Sequence, residues 1–131
     1  MMTKADHIAH WLREAEQNWQ EVQQMFAAGT YIPCLFWAHL TLEKIAKALW
    51  IQHNEANFPP FIHKITRLLE LADVELTSDQ MTFFQQLDAF QLQGRYEGYA
   101  VGLRQRATPA FTHAVLQQAA VLRQCLLEKL P

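Results

Sequence analysis

Ile32-Pro-Cys-Leu-Phe-Trp-Ala-His-Leu-Thr-Leu-Glu-Lys-Ile-Ala-Lys-Ala-Leu-Trp-Ile-Gln-His53 is the stretch around which the rest of this 131-residue sequence is arranged. Pro33 suits the first turn of a helix, where a missing N–H costs no hydrogen bond. At about 100° per residue, apolar side chains fill one continuous arc, while His39, Glu43 and Lys47 form a polar stripe. Aromatic residues flank this stripe. We therefore expect the helix to be contacted on more than one side.

A second long helix precedes it and ends close to it. Apolar residues at three- and four-residue spacing predict a helix from Lys4 to Ala28. Thr3 and Asp6 form a capping-box pattern at its start, and Gly29 is a typical residue just beyond a helix end. Thr30 and Tyr31 alone link the two helices, which forces an antiparallel hairpin.

The second half of the chain predicts three further helices. They span Ile62–Ala72, Asp79–Leu92 and Pro109–Lys129, with Ser78 and Thr108 as caps of the last two. No alternating pattern is long enough for a sheet. The sequence therefore predicts an all-α, up-and-down four-helix bundle with one extra short helix, in a single domain covering residues 1–131.

The segment Gln93–Thr108 has no helical period and holds three of the four glycines, together with Arg95, Arg104 and Arg106. We predict a long loop here. One interpretation is a phosphate-binding turn, because glycine-rich backbone and a guanidinium both suit phosphate. The other is an ordinary connector whose arginine fixes it to the bundle, and both interpretations stay open.

Composition excludes several classes of protein. The formal net charge is −2, which argues against wholesale nucleic-acid binding, so no DNA partner is expected. No signal-peptide pattern and no uncharged apolar run of membrane-spanning length is present, which predicts a cytoplasmic protein without membrane contact. Cys34 and Cys125 lack metal-ligand spacing and are predicted to be buried thiols. No metal and no cofactor are expected.

Three polar motifs are candidates for chemistry, each with a plainer interpretation. His39, Glu43 and Lys47 have spacing for acid–base work, but an ordinary i,i+4 Glu–Lys pair with a histidine above it explains them more simply. His63 is a titratable group at a helix start, where it more simply satisfies free amides. Arg106 and His113 resemble a phosphate clamp and acid–base pair for RNA cleavage, although Pro109 interrupts them.

Several short pieces occur in a fixed order along the chain: Trp11-Leu12 and Ala15; Gly29-Thr30-Tyr31; Phe36-Trp37-Ala38; Leu42-Glu43-Lys44-Ile45-Ala46-Lys47-Ala48-Leu49; His63-Lys64-Ile65 and Leu68; Arg95-Tyr96-Glu97-Gly98. This ordered set resembles the HEPN family of small all-helical domains. Glu97 stands where the family usually has proline. Ala107 stands where the family's ribonucleases commonly have a polar residue after the arginine.

The resemblance implies a symmetric homodimer, a groove between protomers that takes a nucleotide, and pairing with a separately encoded minimal nucleotidyltransferase. Isologous pairing would also bury the apolar surplus of the central helix. The implied site residues are as follows: Arg95 and Tyr96 on the ligand, Glu43, Lys47 and His63 in the lining, and Lys44 beside them. We therefore expect a non-catalytic HEPN binding module, in a toxin–antitoxin or stress-response pair. The alternatives are a metal-independent ribonuclease toxin using Arg106 and His113, and a structural dimeric bundle without ligand.

Overall fold

The structure is a computed structural model that describes residues 1–95 and 97–131, with the backbone alone for residues 92–95 and 97–101. These residues form six α-helices and no strand: α1 (Lys4–Ala27), α2 (Tyr31–His53), α3 (Ile65–Leu71), α4 (Ser78–Arg95), α5 (Glu97–Arg106) and α6 (Pro109–Leu127). The all-α bundle is therefore confirmed. In the described part of the chain, no helix is long and apolar enough to cross a membrane.

The start and end of α1 follow the predicted signals. Thr3 accepts a hydrogen bond from the Asp6 amide at 3.1 Å, and the Asp6 carboxylate accepts one from the Thr3 amide at 2.9 Å. These two contacts with Thr3 lower the pKa of the Asp6 carboxyl group. Gly29 has φ +78°, a conformation that costs glycine little. The chain therefore turns back sharply, and α1 packs against α2.

The helix α2 is central, as its sequence predicts. It contacts α1, α3, α4, α5 and α6. Its polar stripe lies inside the bundle, since His39 is 0%, Glu43 3% and Lys47 8% exposed. The chain's own helices thus cover most of α2, and the predicted surplus of apolar surface is smaller than its sequence indicates.

A remnant of that surplus stays at the surface. Six large apolar or aromatic residues of α2 are partly exposed: Tyr31, Ile32, Phe36, Trp37, Leu40 and Trp50. The indole N–H of Trp37 donates to Glu21 of α1 at 3.0 Å, which fixes this ring at the rim. A second protomer that covers α2 would therefore bury these side chains and not the helix as a whole.

Two predictions about the second half are corrected at the ends of helices. Thr77, not Ser78, caps α4: its hydroxyl accepts from the Gln80 amide at 3.1 Å, and its own amide donates to the Gln80 side chain at 2.9 Å. Ser78 is instead the first helical residue. The third helix begins at Ile65 and not at Ile62, because its first amides are bound by a side chain from α4.

The predicted loop at residues 93–108 is wrong. Its backbone continues α4 to Arg95 and then forms α5, which ends at Arg106. Each glycine lowers helix propensity by about 1 kcal/mol relative to alanine, so propensity alone does not predict a helix in this segment. Packing offsets it, since Leu103 of α5 is only 1% exposed and belongs to the main core. Thr108 and Pro109 start α6 as predicted.

A small second core lies between α1 and one end of α2, formed by Val22, Cys34 and Ala38. All three are 0% exposed. The Cys34 thiol lies 3.4 Å from the carbonyl oxygen of Val22, and burial raises its pKa to about 11. Cys125 is only partly buried, so the prediction of two buried thiols holds for Cys34 alone.

Candidate functional site

The ionic pair predicted on α2 is present, but it is buried. Lys47 donates to Oε2 of Glu43 at 3.0 Å, the geometry expected for an i,i+4 pair. The Lys47 ammonium also lies 5.0 Å from the centre of the Trp11 ring on α1. A surface pair contributes little to stability, whereas these two charges have lost most of their water and depend on each other.

Asp88 of α4 is the polar residue that sequence reasoning missed. Its Oδ1 accepts from the Ile65 amide at 2.8 Å, and its Oδ2 accepts from the Thr66 hydroxyl at 3.0 Å. Nε2 of His39 lies 3.2 Å from Oδ1. Because a carboxylate only accepts, Nε2 carries the proton in this contact. One side chain therefore starts α3 and holds a buried histidine of α2.

Two buried atoms beside this contact have no hydrogen-bond partner among the described residues. They are Nδ1 of His39 and Oε1 of Glu43, which lie 3.8 Å apart. Nδ1 of His63 lies 3.5 Å from the same Oε1, and the His63 side chain is 47% exposed. We call His39, Glu43, Lys47, His63 and Asp88 the ionic cluster. His63 is its most exposed member.

The prediction for His63 is therefore corrected. It does not satisfy the free amides at the start of α3, because the carboxylate of Asp88 does so. His63 instead faces Glu43 across the junction of α2 and α3. The expected role of His63 in lining a ligand site stays a prediction.

An open groove of about 500 Å³ lies beside the ionic cluster. It is lined by the start of α3 and one face of α4: Lys64, Thr66, Gln85, Asp88, Ala89 and Gln91. An ammonium group, a hydroxyl and two amide side chains offer hydrogen bonds to an anionic or polar ligand. This groove is the candidate ligand-binding site, and it shares Asp88 with the ionic cluster.

Of the two residues expected on the ligand, Arg95 is the last residue of α4. Arg95 follows Gln91 by four positions and Asp88 by seven, so its backbone is on the same side of the helix. The side chain of Arg95 and the whole of Tyr96 lie outside the described residues. Their expected contacts with a ligand stay predictions.

Lys44 and Lys47 do not line an open cleft together. Lys44 is 20% exposed and pairs with Glu14 of α1 at 3.6 Å. Lys47 lies between Glu43 and the ring of Trp11, nearly out of reach of solvent. Both lysines are thus occupied by contacts between α1 and α2, and Lys64 is the lysine that lines the groove.

Arg106 and His113 have different neighbours. The Arg106 guanidinium lies 5.8 Å from the Phe111 ring, whereas His113 lies 5.8 Å from the Phe26 ring of α1. Phe111 itself contacts Phe90 of α4. Arg106 is the last residue of α5, whereas His113 lies in the second turn of α6. The two residues thus contact different aromatic rings in the described part of one protomer.

No metal centre is found in the described residues. In that part of the chain, no three His, Cys, Asp or Glu side chains are arranged to hold an ion. The lysine inside the ionic cluster also repels a cation.

Comparison with known proteins gives one match. The sequence model of the HEPN domain matches residues 8–129, which is nearly the whole chain. No curated protein and no solved structure matches the chain significantly.

Proposed function

The chain belongs to the HEPN family, and we propose that it is a non-catalytic binding module whose ligand is a nucleotide. The observation that carries this proposal is the groove between the start of α3 and α4. Its volume of about 500 Å³ lies in the range of small-molecule sites, roughly 300–1,000 Å³. The start of α3 and one face of α4 form its walls, and every lining residue except Ala89 has a polar side chain.

The groups in the groove match the parts of a nucleotide. Lys64 supplies a positive charge for phosphate. The Thr66 hydroxyl, which already donates to Asp88, can only accept from a ligand. Gln85 and Gln91 carry amides, which both donate and accept, as ribose or a base edge requires. Arg95, the last residue of α4, is the second cation that the sequence predicts for the ligand.

The ionic cluster supports the groove from below. Asp88 links the start of α3 to His39, while Glu43 and Lys47 fix the neighbouring turn of α2. Binding sites are more specific when their walls are held in place before the ligand arrives. The cost of burying these charges is therefore consistent with a role in binding.

Binding without cleavage is favoured over the ribonuclease alternative. An acid–base pair must converge on one reacting group, within hydrogen-bond distance or one water molecule of it. Within one protomer, Arg106 contacts the Phe111 ring and His113 contacts the Phe26 ring of α1. No other observation supports RNA cleavage, so we do not propose it.

The dimer and the partner protein are part of the proposal. The family resemblance implies a homodimer and a separately encoded nucleotidyltransferase, in a toxin–antitoxin or stress-response pair. The partly exposed Phe36, Trp37, Leu40 and Trp50 of α2 support a second protomer, since burying such side chains stabilises an interface. A dimer would bring two copies of the groove into one assembly.

Calorimetric titration with ATP and GTP tests the nucleotide proposal. We expect saturable binding to the wild type and about tenfold weaker binding by Lys64→Ala, because a charged hydrogen bond contributes roughly 1.5–3 kcal/mol. Arg95→Ala should weaken binding to a similar extent. The matched control is Lys129→Ala, an exposed lysine far along the chain. Absence of binding to the wild type, or equal affinity in all four proteins, would remove the nucleotide proposal.

A further inference from the structure

A second cavity, which we call the aromatic pocket, lies at the other side of the α1–α2 hairpin. It has a volume of about 250 Å³ and is lined by five residues: Met2, His7, His10, Trp11 and Phe58. Four of the five carry rings. None of these residues belongs to the groove or has been assigned a role above, except that Trp11 covers Lys47.

The rings of the pocket are held in pairs. The His7 ring contacts Phe58 edge-on, with 4.9 Å between centroids, and His10 contacts Trp11 in the same way at 5.6 Å. Phe58 nevertheless keeps 74% exposure. The Phe58 ring is therefore accessible to a molecule in the pocket.

The wall that carries Phe58 is fixed to α1. The ammonium group of Lys4 donates to the carbonyl oxygens of Ile51 at 2.9 Å and Asn54 at 2.8 Å. It also reaches the carbonyl oxygens of Glu55 and Ala56. One side chain thus ties the end of α2 and the following segment to the start of α1. The pocket is formed before a ligand arrives, which lowers the entropic cost of binding.

The charges around the pocket discriminate between ligand classes. The Lys47 ammonium already lies over the Trp11 ring at 5.0 Å. A second cation in the pocket would be repelled by this charge, and His7 and His10 add to the repulsion whenever they are protonated. Quaternary ammonium ligands are therefore disfavoured. A neutral ring is favoured, and imidazole nitrogens at the rim suit its hydrogen-bonding edge.

We propose that the aromatic pocket binds a neutral, planar nitrogen heterocycle of the nucleobase type, stacked on Trp11 and Phe58. This goes beyond the proposed nucleotide groove, because it needs no phosphate and uses different residues. Stacking on aromatic side chains accepts any base, since every base has a π-face. The site therefore recognises the ring and not a particular pattern of substituents.

Calorimetric titration with adenosine, which lacks phosphate, tests the pocket. We expect saturable binding to the wild type and about tenfold weaker binding by Phe58→Ala, as base stacking on one aromatic ring predicts. Phe58 is largely exposed, so this substitution leaves the fold intact. Phe61→Ala is the matched control, because Phe61 lies on the same segment, is fully exposed and does not line the pocket.

The outcomes separate this inference from the nucleotide groove. Lys64→Ala should leave adenosine affinity unchanged while it weakens ATP binding, since Lys64 lines only the groove. The aromatic pocket is rejected if adenosine does not bind saturably, or if Phe58→Ala and Phe61→Ala bind it equally well. ATP binding that depends on Lys64 would still support the groove in either case.

Discussion

Two stretches of α2 are held by opposite kinds of contact, and we call them its apolar end and its ionic end. Near its start, α2 packs through Cys34 and Ala38 onto Val22, three small apolar side chains without exposure. The ionic cluster begins at the next residue, His39, and continues through Glu43 to the middle of the helix. Packing at the apolar end depends only on complementary shape. At the ionic end, each buried charged or polar group requires its hydrogen-bonding or ionic partner.

This difference indicates where function lies. An apolar contact stabilises the fold by itself, but buried charges are often no better for stability than apolar residues of the same volume. Residues that lower the stability of the folded protein are concentrated at functional sites. The ionic cluster adjoins the groove of about 500 Å³ through Asp88, whereas Val22, Cys34 and Ala38 do not line that groove. We therefore assign binding to the ionic end of α2.

The largest expected effect comes from breaking the buried pair. Glu43→Leu should lower the free energy of unfolding by about 3–5 kcal/mol, because Lys47 is left buried without its counter-charge. Glu43→Leu combined with Lys47→Met should recover most of this loss, since both charges are then absent. Urea unfolding followed by circular dichroism measures both values. If the double variant is no more stable than Glu43→Leu, the pair is not the cause.

A smaller loss is expected at Asp88. Asp88→Ala removes the acceptor of the Ile65 amide, the Thr66 hydroxyl and His39, and each lost contact in a buried site costs about 1–3 kcal/mol. We expect about 2–3 kcal/mol in total after local rearrangement. Asp79→Ala, at the first turn of the same helix, is the control and should change stability by less than about 0.5 kcal/mol. Similar losses in both variants would contradict the network described here.

At the apolar end, the effect should come from volume alone. Ala38→Leu adds bulk beside Val22 and Cys34, where Ala38 is 0% exposed, and overpacking typically costs about 1–3 kcal/mol. The same variant should bind ATP with unchanged affinity, because it does not touch the groove. A thermal melt and a titration on one sample provide both readings. Weakened ATP binding in a folded Ala38→Leu protein would contradict the assignment of binding to the ionic end alone.

The smallest effect concerns the Cys34 thiol. Burial raises its pKa from 9.0 to about 11. In the folded protein the thiol therefore keeps its proton up to about pH 11, whereas in the unfolded chain it ionises above pH 9. Stability should fall as pH rises from 9 to 11, because the unfolded state alone loses the proton in this range.

Cys34→Ala supplies the comparison for this pH dependence. Denaturant unfolding at pH 8, 9, 10 and 10.5 should show a shallower decline in the variant than in the wild type. At pH 8, a thiol reagent should modify the partly buried Cys125 well before Cys34 in the native protein. Identical slopes, or fast native modification of Cys34, would show that the apolar end opens easily.

Local signals in the sequence predict most of the fold. The capping box at Thr3, the turn at Gly29 and the Thr108-Pro109 start of α6 each depend on neighbours within three or four residues. The central position of α2 follows from its apolar periodicity. The helix α5 was missed because glycines lower propensity, while Leu103 is fixed by packing against distant elements.

The site was predicted only in part, for a related reason. Glu43 and Lys47 were found because their pairing follows from helical spacing. Asp88 was missed because its partners, His39 and Ile65, lie 49 and 23 residues away along the chain. A single aspartate in an amphipathic helix carries no local signal of such contacts. Sequence periodicity predicts which face of a helix a residue lies on. It does not predict which faces of different helices pack together.

The most direct test of the account is a chemical-shift map of the isotope-labelled protein titrated with ATP. The account predicts that the largest amide shifts cluster at the groove and follow one saturable curve: Lys64, Thr66, Gln85, Asp88 and Gln91. Amides at the apolar end of α2 should stay in place. Shifts spread over α1 and α6 without the groove, or no shifts at saturating nucleotide, would contradict the claim that the ionic end of α2 supports a nucleotide site.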